Sequence, residues 1–260
     1  MSKKIITFLS SLVLILGIAM PAFADSSVNL MPVKVIKNPA ITDPHVLFQR
    51  AVNGISDLEN KDLAPKSKAH ISNNEDGISK DVKVYSTTQL LKEEKFKDGK
   101  TNREYATTSF AVVKASDLKS SGKYYIQGSL SDDEWDSTGS VNAYSTIRWS
   151  NVADSNGVEH ITMAGQTISG GWSPLSGFTV KNKTVTIGQI GVSSWGGYLS
   201  QSTPYSISDS SLTFSKTASS SWKPVLADDT STVGCSQTCT IYRGTSNWTF
   251  TFTNNKYGDV

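Results

Sequence analysis

From residue 81 onward, hydrophobic and polar residues alternate as they do in β-strands. Val82 and Val84 alternate with polar neighbours, Asp98-Gly99 is a strong turn signal, and residues 105–113 resume β-rich sequence. The cleanest stretch is residues 141–149. There Val141, Ala143, Ser145, Ile147 and Trp149 share one face, while Asn142, Tyr144, Thr146 and Arg148 share the other. Near the end, Trp248, Phe250 and Phe252 oppose Thr249, Thr251 and Thr253, the pattern of a strand that covers a core. Between these stretches the sequence offers further short strands. Gly170-Gly171 reads as a bend, and Lys181-Asn182-Lys183 as a tight connection.

Short strands with a turn signal every ten or so residues predict an antiparallel sandwich. Long helical patterns are absent after residue 80, which argues against an α/β fold. The expected class is an all-β, antiparallel β-sandwich of Greek-key or jelly-roll kind, spanning residues 81–260. Residues 25–80 are poorly periodic and punctuated by Pro32, Pro39, Pro44 and Pro65. They read as a weakly structured N-terminal appendage: an arm, a linker or a pro-segment. A short helix is expected over residues 45–58, where Val46, Phe48, Val52 and Ile55 approach helical spacing and Pro44 can sit in the first turn.

Residues 1–24 carry the parts of a secretory signal peptide. Lys3 and Lys4 precede an uncharged apolar run to Met20, Pro21 breaks it, and Ala22-Phe23-Ala24 fits a cleavage site. The expectation is a secreted, extracellular chain. No later apolar run approaches a membrane span, so no membrane association is expected after cleavage.

The formal charge of +2 includes the two leader lysines, so the remainder is near neutral and lacks the basic excess expected of a nucleic-acid partner. All six Trp fall after residue 130, in sequence dominated by Ser, Thr and Gly. Cys235 and Cys239 flank Ser236-Gln237-Thr238, which reads as a hairpin tip closed by a local disulfide in an oxidising compartment.

Chemistry is sparse. No nucleophile elbow, zinc-protease motif, phosphate loop or dinucleotide fingerprint occurs. His45 and His70 fall in the weakly patterned region, and His160 reads as a cross-strand residue. The acidic loop Asp132, Asp133, Glu134 and Asp136 has the oxygen ligands for a structural Ca2+, without EF-hand spacing; a solvated loop explains it as well. Trp172, Trp195, Tyr198 and Trp222 lie in or beside Gly/Ser/Pro-rich stretches. Exposed rings there would stack on sugars; rings turned inward would plug the core. The sequence therefore favours a non-catalytic protein that binds a polysaccharide, a cell-wall polymer or an extracellular protein through loop aromatics. The rival is a glycan hydrolase or lyase pairing a carboxylate of the 132–136 loop with Glu159 or His160.

Overall fold

A computed structural model describes residues 31–58, 64–73, 75, 77–114, 116–118, 141–193 and 196–256 and shows two antiparallel sheets packed face to face. The first sheet holds β1 (Lys34–Lys37), β4 (Val84–Lys95), β5 (Thr101–Val113), β6 (Val141–Ala153), β7 (Glu159–Thr162), β8 (Thr167–Pro174), β11 (Thr213–Thr217) and β12 (Val225–Leu226). The second runs β10 (Tyr198–Ile207), β9 (Thr179–Val192), β13 (Thr232–Arg243), β14 (Ser246–Lys256), β2 (Lys68–Asn73), β3 (Ile78–Val82) across its width. The all-β sandwich expected from the alternation is the observed fold.

Strand β6 forks the first sheet. Its early residues, from Val141 to Thr146, pair with β8, while Ser150 to Ala153 pair with β7. The two faces of β6 separate as the sequence predicts. Val141, Ala143, Ile147 and Trp149 are buried in the core between the sheets, and Tyr144, Thr146 and Arg148 turn outward. From the second sheet, Phe250, Phe252, Ile187, Val185 and Ile241 close the same core. At its centre Asn254 ties the layers together. Its Oδ1 accepts from Ser109 (3.0 Å), and its Nδ2 donates to the carbonyls of Thr107 (3.2 Å) and Ser145 (2.8 Å).

Among the described residues, 34–82 contribute β1, α1 (Pro44–Val52), β2 and β3, so a boundary at residue 80 falls inside β3. Strand β1 pairs with β4, and β2 pairs with β14, about as far apart in sequence as the chain allows. Helix α1 (Pro44–Val52) lies on the outer face of the first sheet, burying Leu47, Phe48 and Ala51 against Phe110 and Val112. Phe48 meets Phe110 and Tyr85 edge-on at 5.4 and 5.5 Å. Local periodicity cannot reveal strands whose partners are this remote, hence the reading of an appendage.

Two turn readings are also corrected. Gly170 and Gly171 sit inside β8, where a Cβ on Gly170 would collide with the Tyr144 carbonyl and meet the Phe214 ring at 2.7 Å. They are glycines because rings and backbone cross them, not because the chain bends. Lys181-Asn182-Lys183 lies within β9 at a bulge opposite Thr238 and Thr240, with Asn182 at φ 51°.

Candidate functional site

The outward face of the first sheet carries a partly enclosed cleft. Its floor is a row of hydroxyls that the register places directly opposite one another: Thr108 on β5, Thr146 on β6, Ser169 on β8 and Ser215 on β11. Thr108 and Thr146 share a 2.8 Å hydrogen bond. Over four neighbouring strands this row extends about 14 Å, three spacings of the sheet. One wall is the segment from Ala40 to Pro44 that leads into α1, with Leu47 behind it.

That wall is fixed by its own chemistry. Gln89 grips Ile41 twice, accepting from its N–H (2.8 Å) and donating to its carbonyl (3.1 Å). Asp43 caps α1 by accepting from the N–H groups of His45 (2.8 Å) and Val46 (3.4 Å), and Pro44 follows it at the start of the helix. At the other side, Tyr144 stacks on Phe110 at 6.3 Å, and burial raises its phenol above the usual range.

The resulting depression holds about 380 Å³ and continues past Arg148 into a second, shallower one of about 340 Å³ lined by Lys37, Asn38, Lys92 and Glu104. Arg148 and Ala40 line both. Arg148 is half-buried, and none of the described residues pairs with its guanidinium. Lys92 is held by Glu94 at 2.6 Å. The cleft is thus elongated, rich in hydroxyls, and positively charged at its waist.

The residues singled out from sequence are scattered. Trp172 lies inside β8 and is buried in the core, its ring 5.7 Å from Phe214. Trp222 is half-buried against the same core. Tyr198, at the start of the edge strand β10, is 67% exposed. Trp195, Asp132, Asp133, Glu134 and Asp136 lie outside the described residues, so the aromatic platform and the Ca2+ loop gain no geometry. Among the described residues, no three His, Cys, Asp or Glu side chains come together as a metal site. His160 is buried, its Nδ1 3.1 Å from the Val158 carbonyl, whereas Glu159 is exposed and accepts from Asn151 (3.0 Å).

The disulfide expectation fails on geometry. Cys235 and Cys239 are both free and buried on one continuous strand, β13. Four residues of strand put their Cα atoms roughly 13 Å apart, while a disulfide needs about 4.4–6.8 Å. The supposed hairpin tip contains no Gly, Pro, Asn or Asp. Ser236, Gln237 and Thr238 instead pair with β9 on one side and β14 on the other. Burial pushes both thiols up to about 12, which makes them inert.

A second constellation is one that sequence reading passed over. On the outer face of the second sheet, His70 of β2 lies directly opposite Asp81 of β3, with Ser79 two residues before Asp81. His70 Nδ1 is 3.0 Å from Asp81 Oδ1, and its Nε2 is 3.2 Å from Ser79 Oγ. The signal was a period-2 relation between two strands that had not been recognised as strands. No family model matches the chain, and neither the curated proteins nor the solved structures include a significant match.

Proposed function

We propose that this is a secreted binding protein whose cleft beside α1 holds, without catalysis there, a hydroxyl-rich, acidic polymer such as an anionic glycan or cell-wall polymer. The observation that carries the reading is the half-buried Arg148, unpaired among the described residues, at the junction of two polar depressions. A guanidinium presents a planar fork of donors suited to carboxylate or phosphate. The row Thr108, Thr146, Ser169 and Ser215 supplies donors and acceptors for sugar hydroxyls. The leader-like residues 1–24 support export.

The proposed binding mode differs from stacking on loop aromatics, because Trp172 is in the core and Trp222 is packed against it. The hydrolase alternative gains no support from the cleft. A glycosidase uses two carboxylates flanking the scissile bond, and Glu104 is the one carboxylate among the lining residues. Affinity electrophoresis through gels containing acidic or neutral polysaccharides tests the proposal. Acidic gels should retard the protein, and added salt should weaken the effect. Arg148→Ala should bind about tenfold to hundredfold more weakly, the loss expected for hydrogen bonds to a charged group. Tyr198→Ala should bind normally. Equal retardation of the wild type and Arg148→Ala would remove the cleft from consideration.

A further inference from the structure

We infer that Ser79, His70 and Asp81 form a nucleophilic relay on the outer face of the second sheet, and that Ser79 accepts acyl groups from activated esters. The inference is independent of the cleft, which lies on the other sheet. The two hydrogen bonds have the polarity such a relay needs. The Asp81 carboxylate accepts from Nδ1 of His70 (3.0 Å), which leaves Nε2 as the acceptor for the Ser79 hydroxyl (3.2 Å). The β2–β3 register enforces this arrangement. His70 and Asp81 are cross-strand partners, and Ser79 projects from the same face of β3 two residues away. All three side chains are solvent-accessible, so an ester can reach the oxygen without any rearrangement.

The chemistry balances without a cofactor. Ser79 Oγ bonds to the ester carbonyl carbon as its proton passes to His70 Nε2. The alkoxy or aryloxy group then leaves with that proton, giving an acyl-serine and an alcohol or phenol. Water, deprotonated by the same imidazole, releases the acid and restores Ser79. Asp81 holds the ring in the needed tautomer and offsets its transient positive charge.

The surroundings also set the substrate class. His70 and Asp81 line a shallow groove of about 280 Å³ with Lys68, Thr251, Thr253 and Asn255, while Ser79 lies outside that lining. The groove therefore accommodates the far end of an ester rather than its carbonyl. Ser79 and its neighbours are held in the extended β2–β3 ladder rather than at a helix N-terminus or a curled loop, where N–H pairs converge on an oxyanion. Such donors are worth about 10²–10³ in rate. Aryl esters, with good leaving groups, are accordingly the class this relay can turn over.

The test uses the full chain and p-nitrophenyl acetate, following nitrophenolate release and the acetylated peptides by mass spectrometry. Acetyl should appear on the Ser79 peptide. Ser79→Ala should abolish that label, and His70→Ala should lower the acylation rate about 10²-fold, the lower end of general-base contributions. Ser79 is exposed on an edge strand, so Ser79→Ala should fold normally; matching circular dichroism checks this. Acetyl confined to lysines such as Lys68 and Lys80 would overturn the inference. So would ester hydrolysis that survives Ser79→Ala but falls in His70→Ala, which would mean that the imidazole acts alone.

Discussion

Asn254 illustrates how much one polar side chain can specify inside an apolar sandwich. It is fully buried, and its amide spans from β14 to β5 and β6 in the other sheet. Ser109, which donates to its Oδ1, is itself bonded to Ser67 (2.8 Å) and Ser86 (2.7 Å), so a chain of hydroxyls converges on one oxygen. Such a network stabilises a single registry of the two sheets only while every member is satisfied. Asn254→Ala takes away three hydrogen bonds at once, those to the Thr107 and Ser145 carbonyls and from the Ser109 hydroxyl. The expected cost is about 3 kcal/mol, from a net contribution of about 1 kcal/mol per hydrogen bond. Urea unfolding measures it directly, and a loss below about 1 kcal/mol would show that water or rotation of the serines replaces the amide.

At the scale of elements, α1 determines whether the cleft has a wall. The helix spans only nine residues, too short to persist without its docking face and its cap. Asp43→Ala removes the acceptor for the His45 and Val46 N–H groups and should cost about 1 kcal/mol. Faster hydrogen exchange confined to α1, with the strands unchanged, is the expected signature; uniform acceleration would mean that the cap supports the whole sandwich. This helix was partly legible in sequence through Pro44 and Phe48, but it ends at Val52 rather than at residue 58, and Val46 and Ile55 of the expected apolar spacing are exposed. The segment's place in the fold was not, because that depends on Phe110 and Val112 of a distant strand. The strands followed the same division. β6 and β14 declare both faces by strict alternation, so the core residues and the outward Tyr144, Thr146 and Arg148 could be read directly. β2 and β3 are short and hydrophilic on their exposed sides; β2 is fixed by pairing with β14, and β3 only by pairing with β2. The relay of His70, Ser79 and Asp81 was hidden for that reason. Trp172 misled because its Gly/Ser/Pro neighbours suggest a loop, whereas Gly170 and Gly171 make room for packed rings.

For the whole molecule, the final strand brings a charge into the space between the layers. Lys256 ends β14 fully buried, with Nζ 5.6 Å from the centre of the Trp149 ring, which in turn stacks on Tyr105 at 4.6 Å. Burial pulls its ammonium down from 10.5 to about 7; Lys66 nearby acts in the same direction, and Asp229 opposes both. Below about pH 7 the folded and unfolded chains both carry this proton, and the fold bears the cost of an enclosed cation. Between about 7 and 10.5 the unfolded chain binds a proton that the folded one lacks, so this group makes stability rise with pH. The buried thiols act in the opposite sense above 9, where the unfolded chain releases protons that Cys235 and Cys239 keep. The informative window therefore ends below 9. Urea midpoints at about pH 6 and about pH 8.5 should differ, with the higher pH more stable, once the contribution of other groups is subtracted through a Lys256→Met variant. That variant should be stabilised most at the acid end, because it removes the enclosed cation while the methionine fills most of the same volume. Parallel pH curves for the variant and the wild type would show that the Lys256 ammonium reaches water, and the strand end would then have to be open rather than sealed against Trp149.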